Sequence, residues 1–158
     1  MQGHPQIIEL LNNVLRMELT GINQYFLHAK MCDNWGYQVL AKAILEESIE
    51  EMKHADKIIE RILFLDGRPN LSTYDRINIG TNVKQQLQND LALERMALQI
   101  LNPGVTLCAE LQDAGSRELL ERLTVDEERH AGWIEAQLFK IGELGYENYL
   151  AEQIYEKS

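Results

Sequence analysis

The chain has 158 residues, a formal net charge of −10 and a pI of about 4.8. That acidity repels nucleic acids and anionic membrane surfaces, and no run of 18 apolar residues is available to span a bilayer. With 45% hydrophobic residues, 25% charged residues, 10 glycines and 3 prolines, the composition is that of a helical globular protein long enough to bury a core.

The first amphipathic segment starts at Pro5, a residue suited to a first helical turn. It sets Leu11, Leu15, Glu18, Ile22, Tyr25 and Ala29 on one stripe in steps of four and three. A helix over 5–34 is predicted, closed by Asn34-Trp35-Gly36. A second helix, 37–65, carries Leu40, Ile44, Glu47, Glu51, His54, Ile58 and Leu65 on one face. Residues 66–80 hold Pro69, two glycines and several turn formers and read as a loop. A third helix, 82–112, places Val83, Leu87, Asp90, Glu94, Leu98 and Leu101 in register. Within it Asn102-Pro103-Gly104 predicts a kink, because proline removes a backbone hydrogen bond and crowds the preceding turn. A fourth helix, 115–142, bears Leu120, Leu123, Glu127, His130, Ile134, Leu138 and Ile141, and a short fifth, 146–154, follows Gly145. The two short connections make antiparallel hairpins. The middle loop reaches roughly 50 Å when extended, more than the about 42 Å of a 28-residue helix. It can therefore cross the whole bundle and set the second and third helices parallel. Residues 1–158 read as a single all-α domain. Cys32 and Cys108 sit inside helical patterns with no CxxC pairing, so buried reduced thiols and a cytoplasmic setting are expected. The N-terminus runs directly into amphipathic sequence, without the regions of a signal peptide.

The chemistry lies in a repeated spacing. Glu51 and His54 form an ExxH on the second helix, and Glu127 and His130 form another on the fourth. A spacing of three places carboxylate and imidazole on one helix face. Glu18 precedes Glu51 by 33 residues, Glu94 precedes Glu127 by 33, and the whole set recurs at an offset of 76. A lone ExxH carries little weight; the doubled set is far more specific. All six residues fall within apolar stripes near mid-helix. Glutamate is seldom buried without a partner, and four ionised carboxylates in one dry core each cost several kcal/mol or more. Two divalent cations would offset four such charges. Surface glutamates on solvated faces are the alternative, against which the leucine spacing argues. Oxygen donors with one imidazole per metal and no thiolate suit iron or manganese. One Glu from each of two helices plus ExxH from each of the other two is the di-iron carboxylate pattern of helical bundles.

Several neighbours admit two readings. Tyr25, seven residues after Glu18, is either a core aromatic with a satisfied hydroxyl or a group that hydrogen-bonds a ligand and supplies an electron. Glu47 either gates the passage of metal or is an acid beside the pore. His28 lies about 80° from the Glu18 face and is expected to pack or hydrogen-bond. Trp133 is an electron relay or a packing residue. Leu45, Ile49, Met52, Ile59 and Leu63 form a second apolar stripe on the second helix, matched by Leu19, Ile22 and Phe26 on the first. A bundle helix needs one buried face, so this second seam implies a partner, most simply another copy of the chain. By spacing alone Met52 reads as a core methionine.

Three strings carry a resemblance: LNNVLRMELTGINQYFLHAKM, ESIEEMKHADKIIERILFLDGRPNL and DEERHAGWIEAQLFKIGELGYENYL. They resemble bacterioferritin, and the likeness extends over essentially the whole chain. It implies a ferritin-like antiparallel four-helix bundle with a long crossover and a short fifth helix. It also implies iron storage in a shell of 24 copies and oxidation of Fe(II) by O2 or peroxide at a di-iron centre of Glu18, Glu51, His54, Glu94, Glu127 and His130. It further implies haem b held between two copies, each giving one methionine, here Met52. A small [2Fe-2S] ferredoxin for iron release and a second bacterioferritin chain are implied as partners. Where the family often has a His and an Asp at an inner-surface iron site, this chain has Glu46 and Glu50, with Glu47 beside them. The competing readings are a non-cage di-iron oxidase or peroxidase of the rubrerythrin type, which would lack Met52 and its seam, and a metal-free helical module, which would have leucines at the six positions.

Overall fold

In a computed structural model, the structure describes residues 1–155; the last three residues of the expected 1–158 span lie outside them. Five helices occupy Pro5–Asn34 (α1), Gln38–Phe64 (α2), Val83–Glu110 (α3), Ala114–Leu144 (α4) and Tyr146–Ala151 (α5), with no strand among the described residues. Local chemistry sets their ends. His4 caps α1 by accepting from the Gln6 amide, and Pro5 fills the first turn, where a missing N–H costs nothing. Asn82 and Asp113 cap α3 and α4 in the same way, accepting from the amides of Gln85 and Ser116. α4 runs two residues beyond the predicted 142, because Gly142 continues the helix and the chain turns only at Gly145, whose φ of 83° suits glycine. α5 stops at Ala151, short of the predicted 154. α3 passes Pro103 without dividing into two helices. Pro103 and Gln99 are both exposed, so the Gln99 carbonyl that loses its partner can turn to water.

Side-chain contacts fix the directions. α1 runs antiparallel to α3, since Leu10 faces Gly104 while Cys32 donates to Gln86. α2 runs antiparallel to α4, since Glu47 meets Arg129 while Arg61 meets Asp113. α1 and α2 form an antiparallel hairpin, with Ser48 donating to the Ile22 carbonyl. α2 and α3 are therefore parallel, and residues 65–82 traverse the bundle between them. The core falls into two apolar clusters, one around Tyr25, Ile44, Leu87 and Ile134, the other around Leu11, Leu15, Ile58, Leu101 and Leu120. Both cysteines are buried and free.

The crossover forms no helix or strand, so its amides need other partners. α1 supplies them from side chains four residues apart. Asn12, Thr20, Gln24 and His28 accept the amides of Asn70 (2.8 Å), Asp75 (2.9 Å), Asn78 (3.1 Å) and Gly80 (3.1 Å). Arg16, in the same row, pairs with Asp75 at 3.2 Å. A side chain at Gly80 would lie 2.4 Å from the Gln86 amide nitrogen, so only glycine permits this approach. Replacing Gln24 or His28 by Ala leaves a crossover amide unpaired and is expected to cost about 1–3 kcal/mol in denaturant unfolding. Amide exchange should quicken at Asn78 in the first variant and at Gly80 in the second; unchanged exchange at both would show that the row does not hold the crossover.

Candidate metal centre

Between the two apolar clusters each long helix sends polar groups inward. Glu18 (1% exposed) comes from α1, Glu51 (4%) and His54 (6%) from α2, Glu94 (1%) from α3, and Glu127 (1%) and His130 (2%) from α4. These are core positions, which excludes a set of solvated surface acids. Donor atoms from Glu18, Glu51, His54 and Glu127 all lie within 4.8 Å of one another, as do those from Glu51, Glu94, Glu127 and His130. Glu51 and Glu127 belong to both groups, so the two sets share an edge of carboxylates that could bridge two cations. Gly21 borders the site, and a Cβ there would come 3.2 Å from Glu51 Oε2.

The site is short of hydrogen bonds. Both oxygens of Glu18, both of Glu127, Glu94 Oε2 and His54 Nδ1 are buried without a hydrogen-bond partner. His54 Nδ1 lies 2.9 Å from Glu127 Oε1 and 3.4 Å from Glu18 Oε2. These atoms are close but not aligned as donor and acceptor. Buried polar atoms are nearly always satisfied, so so many left open at one point fit cations bound among them. The pKa shifts have the same origin. Burial raises Glu18, Glu51 and Glu94, and neighbouring carboxylates push them further. Glu127 is also pushed up by burial, but the groups crowded against it, Glu94 and His54 first, prevail and hold it at about 2. His54 is lowered by burial, yet Glu127 and Glu18 overcome that and bring it to about 11. Burial lowers His130.

Around this cluster, the Tyr25 hydroxyl donates to Glu94 Oε1 and the same oxygen lies 2.8 Å from His130 Nδ1. The Tyr25 ring meets the His130 ring edge-on at 5.1 Å, and Trp133 stacks on His130 at 6.2 Å. Burial and the Glu94 charge raise Tyr25 well above its ordinary value, so it stays a donor. His28 stands apart from the cluster, with Nδ1 2.8 Å from Asp90 Oδ1, which also accepts from Gln24 at 2.8 Å. Glu47 reaches the edge of the site, 3.3 Å from Arg129 and 3.7 Å from His130. Glu46 is exposed and Glu50 pairs with Lys53 at 3.0 Å, so neither metal-capable group includes Glu46, Glu47 or Glu50. The residue missed by sequence reasoning is Asp126, whose Oδ2 lies 3.0 Å from His54 Nε2. Its position beside the second ExxH was the only signal. Met52 lies outside the bundle, 59% exposed, on an open face with Phe26 (49%), Ile49 (48%) and Leu63 (58%).

Four long helices enclosing a doubled carboxylate–imidazole cluster define a ferritin-like protein, and the Ferritin-like domain profile matches residues 8–144. Bacterioferritin of Mycobacterium leprae is 46% identical over 152 residues, 96% of each chain, and Bacterioferritin BfrA of Mycobacterium tuberculosis is 47% identical over the same share. Bacterial ferritin of Pseudomonas aeruginosa is 43% identical over 155 residues, 98% of this chain and 100% of that protein. The chain belongs to the bacterioferritin family.

The pKa shifts set the direction of a pH effect. Glu18, Glu51 and Glu94 hold protons more tightly folded than unfolded, so their stabilisation is complete below 4.5 and is lost as pH rises through their raised values. Glu127 acts oppositely, stabilising above 4.5 and losing that as pH falls toward about 2. The metal-free protein is therefore expected to lose stability as pH climbs from 5 to 8. Zn2+ should remove that loss while releasing protons into weak buffer. Denaturation midpoints across this range, with and without Zn2+, check it; a metal-free midpoint that rises with pH would contradict the arrangement.

Proposed function

We propose that the chain stores iron, oxidising Fe(II) to Fe(III) at the buried cluster and delivering it to the interior of a hollow shell built from 24 copies. The observation that carries the reading is the set of orphaned buried oxygens on Glu18, Glu94 and Glu127. Iron is the substrate. Two ferrous ions each give up one electron, and the pair goes either to O2 with two protons, forming hydrogen peroxide, or to peroxide with two protons, forming two waters.

The residues then divide the work. Glu18 and His54 hold one ion, Glu94 and His130 hold the other, and Glu51 and Glu127 lie between them. Binding displaces the protons that burial keeps on the carboxyls. Tyr25 orients Glu94 through its hydroxyl and is placed to supply a further electron. Glu47, at the edge beside His130, is suited to pass ions between the cluster and the cavity, with Glu46 and Glu50 near it on α2.

Haem b belongs to this reading through Met52. The thioether is exposed on an apolar face of α1 and α2, as a group shared with a second copy requires. Bound there, haem would carry electrons for iron release, delivered by a small [2Fe-2S] ferredoxin. A homo-oligomer is sufficient, since this chain has both the cluster and Met52; a second bacterioferritin chain is compatible but not needed. The acidic surface and the free thiols suit the cytoplasm. The open α1–α2 face favours this reading over a small non-cage oxidase.

Glu94→Ala and Glu127→Ala are each expected to slow rapid Fe(II) oxidation by at least about 100-fold while the assembly size stays that of the wild type, because leucine packing holds the bundle. Stopped-flow absorbance and gel filtration check both; wild-type rates would refute the site. Met52→Leu should remove or change the Soret band of the haem-reconstituted protein, and an unaltered spectrum would refute Met52 as its ligand.

A further inference from the structure

The two halves of the cluster differ in what stands behind the imidazole. His54 turns Nδ1 toward Glu18, Glu51 and Glu127, and its Nε2 lies 3.0 Å from Asp126 Oδ2. A carboxylate oxygen accepts, so the ring proton resides on Nε2 and Nδ1 is the donor nitrogen toward a cation. Asp126 immediately precedes Glu127 on α4 and reaches across to the α2 histidine. The matching position in the repeat, 76 residues earlier, is Glu50, immediately before Glu51 on α2. Glu50 does not return the arrangement to His130; its carboxylate goes to Lys53 at 3.0 Å. Both carboxylate contacts of His130, Glu94 at 2.8 Å and Glu47 at 3.7 Å, are made through Nδ1, the side that faces the cluster.

We propose that Asp126 is a positioning residue that makes the two metal positions unequal, so that the Glu18–Glu51–His54–Glu127 position fills first and holds its ion more tightly. The proposal rests on the metal-centre reading above. A carboxylate behind a ligating imidazole fixes the ring and its tautomer and makes the ligating nitrogen more basic. His54 has that support and His130 has Glu47 in front instead. The side chain of Asp126 is 45% exposed, so it can be replaced without opening the core.

The test is an anaerobic Co2+ titration of the purified, metal-free assembly, followed by visible absorption. The wild type is expected to take up two ions per subunit in two steps. In Asp126→Ala the first step should weaken by about 10- to 100-fold while the second stays in place, so that the steps converge. Asp126→Asn keeps an oxygen to accept from Nε2 and should recover most of the loss. Circular dichroism and gel filtration should match the wild type in both variants, separating positioning from folding. A first step within twofold of wild type in Asp126→Ala, equal weakening of both steps, or an Asn variant no better than Ala would overturn the role of Asp126. A wild type that takes up no Co2+ would overturn the metal centre itself.

Discussion

Four carboxylates share one dry space, and the rest of the structure answers to that. Burying a charged oxygen is costly unless something of opposite sign or a hydrogen-bond donor meets it. Here the donors are too few: several oxygens of Glu18, Glu94 and Glu127 have none. Protons on the raised carboxyls and on His54 relieve the charge when no cation is present, and cations compete for the same oxygens. The cluster is thus a site whose affinity for metal and for protons comes from one cause.

Such a site has to be held open against its own repulsion, and the apolar clusters above and below it do this. Leu11, Leu15, Ile58 and Leu120 pack on one side; Ile44, Leu87 and Ile134 pack on the other. Each ligand leaves its helix between leucine and isoleucine layers that already set the helix spacing. The crossover adds a constraint from outside, because its amides are tied to α1 at Thr20, Gln24 and His28. The helix that contributes Glu18 and Tyr25 is thereby fixed on a second face as well.

The open face of α1 and α2 complements this interior. Phe26, Ile49, Met52 and Leu63 remain exposed on one chain, a stretch of apolar surface too extended to be comfortable in water. Membership of the bacterioferritin family and this unpaired face point to the same thing, that the chain's working form contains more than one copy. The cluster and the face lie on different sides of α2, since Glu51 and Met52 are consecutive and about 100° apart around the helix.

Much of this is legible in the residues alone. The helices, the two hairpins and the parallel pair follow from apolar spacing and loop length, and the six clustered residues follow from the ExxH repeat with its offset of 76. These are local, periodic signals, and periodicity survives in one dimension. What the sequence leaves open is whatever depends on contact between distant helices. Asp126 meeting His54, Glu50 turning to Lys53 and His28 joining Asp90 to the crossover are all of that kind. So is the end of α4, where the helix continues through Gly142 and the chain turns only at Gly145. The amino-acid pattern by itself determined a four-helix bundle with paired acids and imidazoles inside. Only tertiary structure decided which acid stands behind which imidazole, because side-chain partners are chosen by helix rotation and approach rather than by order along the chain.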